Sequence, residues 1–183
     1  MCAIATGWWQ QAKWVLKPAV TLLIAWPTRG GAAPGVFIGQ LLSAAGDVCL
    51  LFPDDVGFVP GLASFLAAHI AYAASFRAPL RLSWGLAPLA AFAAAMAASL
   101  WPAVARDHPL VQGGVALYIA AIVSMTYRAS LTRDPTLVAG ALLFCVSDSI
   151  LAWAKFVHPY PWCELGVMST YYAAQLCIAA AHC

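Results

Sequence analysis

Charged residues are scarce in this chain. They make up 9% of its 183 residues, where a water-soluble domain carries about 25%, and that shortage excludes a soluble globular protein. Nine basic and seven acidic side chains leave a net charge of +2, with no basic patch that could hold a nucleic acid. Asparagine is absent, which excludes N-glycosylation. Six cysteines occur without a CxxC pair, and Cys49, Cys145 and Cys177 fall in apolar segments as small apolar residues, so no disulfide framework is expected. The histidines at 69, 108, 158 and 182 lack the close spacing of a zinc site. His69 reads as a packed polar residue. No glycine-rich phosphate loop is present, and neither metal nor cofactor is expected.

What the chain has in quantity is apolar length. Hydrophobic residues make up 63% of it, with a mean hydropathy of +0.83. They fall in blocks of roughly 17 to 22, about the length that crosses a hydrocarbon core as a helix. A barrel would alternate apolar and polar residues instead. The expected fold is all-α and polytopic, a bundle of about seven transmembrane helices within a range of about six to eight. The spans are Trp8 to Trp26, Pro34 to Phe52, Val56 to Phe76, Leu82 to Val104, Pro109 to Tyr127, Thr136 to Lys155 and Trp162 to Ala181. The first carries Lys13 and Lys17, and Pro18 breaks it unless a new helical segment opens there. Every connection is too short for a soluble domain, so residues 1–183 read as a single integral membrane domain. The first residues lack the sequence of basic region, apolar core and small-residue cleavage site, so no removable signal peptide is expected. Trp8, Trp9, Trp101 and Trp162 suit interface anchors.

Counting alternate connections puts Lys13, Lys17, Arg106 and Lys155 with Asp54, Asp55, Asp107 and Glu164 on one side. Arg29, Arg77, Arg81, Arg128 and Arg133 with Asp134 lie on the other. The second side is then the cytoplasmic one, with the N-terminus outside.

Two acids stand inside apolar runs: Asp47 in Leu41 to Phe52, and Asp148 between Ser147 and Ser149. An Asp at the centre of a membrane helix costs roughly 2.5 to 3.5 kcal/mol on insertion scales, so it persists where it faces a cavity, finds partners or does chemistry. Both are expected roughly 8 to 11 Å below the first side, reckoned at 1.5 Å per residue. Lys17 approaches from the same end, and Lys155 follows Asp148 by two turns on nearly the same helix face. The expected geometry is a cavity with carboxyls at its floor and ammonium groups at its rim. The spacing of Leu41, Leu42, Asp47 and Leu50 repeats in Leu142, Leu143, Asp148 and Leu151, which fits a parallel duplication.

Gly46-Asp47, Lys17-Pro18 at a span's start, Tyr118 in the fifth span, and above all Ser147-Asp148-Ser149 followed by Lys155-Phe156 resemble the YhhN-like membrane family, which includes the lysoplasmalogenases. The resemblance runs from about Lys17 to Gln175. It implies hydrolysis of the vinyl ether bond of a lysoplasmalogen to a fatty aldehyde and glycerophosphoethanolamine or glycerophosphocholine, in a bacterial inner membrane. The partners implied are a lysophospholipid substrate and membrane lipid. The residues suit that reaction. Protonating the outer alkene carbon makes an oxocarbenium ion that water captures, which needs a carboxyl still carrying its proton and a second, ionised one nearby. Paired carboxyls meet a similar cation in glycosidases. Asp47 and Asp148 are then the catalytic pair, with Lys17 and Lys155 holding phosphate and Tyr118, Ser147 and Ser149 orienting groups.

Each residue also has a plainer reading. The acids could be structural, bonded to hydroxyls such as that of Ser43. The lysines could snorkel, and the serines could bond backbone carbonyls of their own helix. Tyr118, Tyr171, Tyr172 and Gln175 could serve helix packing. Two other functions fit the same residues: a small proton-coupled carrier, since membrane carboxyls and lysines also form proton relays, and a non-catalytic lipid-binding protein.

Overall fold

The computed structural model describes residues 2–183, with side chains from Gln11 onward, so the expected anchors Trp8 and Trp9 lie outside the described side chains. It is all-helical: α1 (Cys2–Ala25), a 3-10 turn (Trp26–Gly30), α2 (Pro34–Cys49), α3 (Asp54–Ser75), α4 (Leu86–Val104), α5 (Pro109–Thr132), α6 (Pro135–Phe156) and α7 (Cys163–Ala180). Among the described residues, α3, α4, α5 and α6 are long and apolar enough to cross a membrane. The other three fall short for physical reasons. α2 has 16 residues and rises only about 24 Å at 1.5 Å per residue. α1 and α7 carry Lys13, Lys17, Glu164 and Gln175 within them.

Proline and capping residues place the helix starts. Pro34, Pro109 and Pro135 stand in the first turns of α2, α5 and α6, where a missing N–H costs nothing. Asp134 caps α6 by accepting from the Thr136 and Leu137 amides at 2.9 and 3.2 Å. Arg133, at φ 62°, makes the left-handed step that ends α5.

Several boundaries differ from the sequence reading, and the largest shift is at the start of α1, which begins at Cys2 rather than Trp8. α1 runs unbroken through Pro18; helices tolerate proline where neighbouring helices and Ser or Thr side chains re-satisfy the backbone. α2 stops at Cys49, three residues before Phe52, so Asp47 lies in its last turn. α4 starts at Leu86 because Ser83 to Gly85 form a turn. α5 continues past the apolar run to Thr132, since the more polar Arg128 to Thr132 remain helical until Arg133 turns the chain.

α3 packs between α2 and α5, and α6 packs on α5 and α7. The main core joins Phe65 and Tyr72 of α3, Met125 of α5, Phe144 of α6, and Tyr171 and Ile178 of α7. Gly46 permits the α2 to α3 approach: a Cβ there would stand 2.6 Å from the Phe65 ring. α4 is peripheral, burying Leu100 and Val104 against Val111 and Val115 of α5. Large apolar side chains such as Leu23, Ile70, Leu110 and Leu117 face outward, an inversion of the soluble pattern that suits a lipid surround.

Candidate active site

Two groups of polar side chains turn inward in the bundle. On α2, Gln40, Ser43 and Asp47 are buried at spacings of three and four, one helical stripe. Asp47 is 6% exposed, and its Oδ2 accepts from the Thr21 hydroxyl of α1 at 2.8 Å and from the Tyr171 hydroxyl of α7 at 2.9 Å. One carboxyl oxygen thereby ties three helices together. Ser43 instead lies 3.4 Å from the Tyr72 hydroxyl, which donates to Gln175 Oε1 at 2.8 Å.

Asp148 is held from the other side. Its Oδ2 accepts from the Tyr118 hydroxyl of α5 at 2.6 Å, and His69 Nε2 of α3 stands 3.4 Å from the same oxygen. The His69 and Tyr118 rings meet edge to face at 5.1 Å.

Both carboxyls line one cavity of about 230 Å³, together with Lys17, Lys155, Ser147 and Glu164. The charged side chains grade in exposure, with Asp54 at 76%, Glu164 at 45%, Lys155 at 26%, Lys17 at 20% and Asp148 at 14%. The charged pairs therefore mark the cavity's open end and the two aspartates its interior. At that open end Glu164 takes Lys13 at 2.7 Å and Lys17 at 3.4 Å. Lys155 pairs with Asp54 at 2.7 Å and lies 4.6 Å from the Phe58 ring centroid.

A second compartment, of about 90 Å³, adjoins the first. Phe92, Met96 and Leu100 of α4 form one wall and Val115, Ile119 and Ile122 of α5 another. Asp148 and Lys155 line both compartments, as do Phe58 and Phe65, whereas Asp47 lines only the polar one. An apolar cavity with a few converging polar groups is the usual form of a small-molecule site.

Six of the seven residues singled out from the sequence therefore line these cavities: Lys17, Asp47, Tyr118, Ser147, Asp148 and Lys155. Ser147 also bonds the Val167 carbonyl at 3.2 Å. Ser149 lines neither. Its hydroxyl donates to the Cys145 carbonyl at 2.7 Å, the back-bonding that a short hydroxyl makes inside a helix. Each lysine meets a carboxylate on another helix, Lys17 that of Glu164 and Lys155 that of Asp54. The sequence does not single out Thr21, Tyr171 or His69, and it shows Asp54 and Glu164 only as charges on one side of the membrane. Thr21 was within reach, one turn after Lys17 on the same helix face; the others are brought in by tertiary packing alone. Among the described residues, no three His, Cys, Asp or Glu side chains gather to hold a metal ion.

Residues 12–182 match the YhhN family. The chain is 36% identical over 166 residues to the human lysoplasmalogenase TMEM86B, covering 90% of this chain and 66% of that protein. It is 35% identical over 176 residues to the human lysoplasmalogenase TMEM86A, covering 90% and 70%. A lysoplasmalogenase of Mycobacterium tuberculosis is 33% identical over 153 residues, covering 76% and 57%. The chain thus spans about two thirds of the length of the human relatives that it matches. No solved structure matches it. With the family matched over nearly its whole length, the chain belongs to the YhhN family.

Proposed function

We propose that this protein is a lysoplasmalogenase: a single integral membrane domain built as a seven-helix bundle, in a bacterial inner membrane, that hydrolyses the vinyl ether bond of a lysoplasmalogen. The observation that carries the proposal is the shared position of Asp148, the one carboxyl that lines both the polar cavity and the apolar compartment. In a lysoplasmalogen the vinyl ether is the junction of an apolar chain and a polar glycerophospho head. A lipid lying with its chain toward Met96 and its head toward Lys17 presents that bond to Asp148.

Asp148 is the acid. It gives a proton to the outer alkene carbon, a C–H bond forms from the alkene π pair, and the ether oxygen shares the positive charge. The new carboxylate and Asp47 face that oxocarbenium ion. Water adds to the carbon bearing oxygen, Asp47 takes its proton, and the hemiacetal collapses to aldehyde and a glycerol hydroxyl. Tyr118 fixes the Asp148 carboxyl by its 2.6 Å bond, as Thr21 and Tyr171 fix Asp47. The open end carries charge of both signs, Lys17 and Lys155 beside Glu164 and Asp54. That suits the phosphate and ammonium of an ethanolamine or choline head group.

The test is release of long-chain aldehyde by purified protein in detergent. A hydrolase works there with no gradient. A carrier instead shows coupled uptake in sealed vesicles and no aldehyde in detergent, and that result would overturn the proposal.

A further inference from the structure

His69 is wholly buried in α3, and one of its two ring nitrogens is accounted for. Nδ1 lies 2.6 Å from the Phe65 carbonyl oxygen. A carbonyl only accepts, so Nδ1 carries hydrogen. Nε2 is then a lone pair in the neutral ring, or an N–H in the cation. It has no hydrogen-bond partner among the described residues, and it faces Asp148 Oδ2 at 3.4 Å. The rings of Phe144 and Tyr118 stand edge-on to the imidazole at 4.7 and 5.1 Å, which fixes its aim. Among the described residues, Tyr118 on α5 and Asp148 on α6 are the titratable groups in contact with it. Asp47 on α2 and Tyr171 on α7 are bonded to each other, and Tyr72, three residues on along α3, is turned to Gln175.

Two lone pairs facing each other in a buried site repel, and a single proton between them removes the conflict. With that proton on Oδ2, the acid donates to Nε2; with it on Nε2, an imidazolium faces a carboxylate. We infer that His69 is a positioning residue for the acid, holding with Asp148 the one proton that the vinyl ether receives. The inference rests on the hydrolase reading above. Before the reaction the pair is neutral. Once the proton has gone to the alkene carbon, a carboxylate and a neutral imidazole remain, carrying one net negative charge beside the cation. The proton that water releases to Asp47 restores the pair, so each turnover is balanced by one water.

The experiment is the pH dependence of aldehyde release by the full-length protein and His69→Leu, with kcat and KM measured at each pH. Without Nε2 to accept from it, the acid loses its proton at lower pH. The expected result is a KM within about twofold of wild type, a kcat about tenfold lower at neutral pH, and an alkaline limb moved down by about one pH unit, so that activity returns on acidification. His69→Met, flexible enough to refill the site, is measured in parallel and should move the limb the same way if the leucine variant does not fold. A limb that stays at the wild-type pH while the rate merely scales down would overturn the inference, because a packing role predicts that pattern. Wild-type protein that releases no aldehyde would overturn the hydrolase reading instead, so the two failures are distinct.

Discussion

Asp47 and Asp148 line one cavity, yet the two ends of that cavity are built from different materials. Around Asp47, α1 supplies Thr21 and Lys17, and α7 supplies Tyr171 and Glu164. On its apolar side Asp148 meets the compartment that α4 and α5 line with Phe92, Met96 and Ile122, with Tyr118 and His69 as its close polar neighbours. The difference matches helix composition: among the described residues, α3 to α6 are long and apolar enough to cross a membrane, while α1, α2 and α7 are not. On the proposed mechanism the carboxyl among hydroxyls and charges takes a proton from water, and the one at the apolar border gives a proton to carbon. The proposal thus assigns opposite tasks to two like residues by their neighbours.

The largest effect should come from the acids themselves. Asp148→Asn and Asp47→Asn should each lower kcat by about 100-fold or more, with unchanged elution in detergent. If one variant retains turnover, its carboxyl leaves the mechanism and the division of tasks collapses. Filling the apolar end should be next. Met96→Trp should cut turnover of long-chain substrate by roughly tenfold, about the effect of 1.4 kcal/mol, and spare a short-chain analogue, as a chain-length series read by aldehyde release would reveal. An equal loss on both chain lengths would mean that α4 does not bound the chain.

At the polar end, Lys17→Met should raise KM for a phosphate-bearing substrate roughly tenfold with kcat little changed, since a phosphate contact is made equally in ground and transition states. Lys155→Met should do less, because Lys155 already has Asp54 at 2.7 Å. A substrate without phosphate should be indifferent to both changes. The smallest effect is expected at Ser149, where alanine should alter kcat/KM by less than about twofold, its hydroxyl being bound to its own helix. A large loss there would place a polar contact that the cavity geometry does not contain.

Much of this was legible in the residues. Apolar blocks bounded by proline placed all seven helices, and where boundaries shifted, as at Cys49 and Thr132, hydropathy alone could not see a helix stop early or run on into polar sequence. Asp47, Asp148 and both lysines were readable because an ionisable group inside an apolar run is costly and so informative. His69 was not, because a lone histidine in a helix has many plainer explanations. Only the packing of α3 against α5 and α6 turns its Nε2 toward Asp148. Ser149 misled for the opposite reason: adjacency to Asp148 in sequence puts it about 100° around the helix, where its hydroxyl meets backbone.

The central claim is that Asp148 delivers a proton to carbon, and the mass of the aldehyde made in heavy water tests it most directly. Wild-type protein given an alkenyl lysophospholipid in deuterated buffer, with the product trapped at once by reduction, should yield long-chain alcohol carrying one solvent deuterium on the carbon next to the former carbonyl, and Asp148→Asn should yield none above the blank. Aldehyde without that deuterium, or deuterated aldehyde formed as fast by Asp148→Asn as by wild type, would contradict the account.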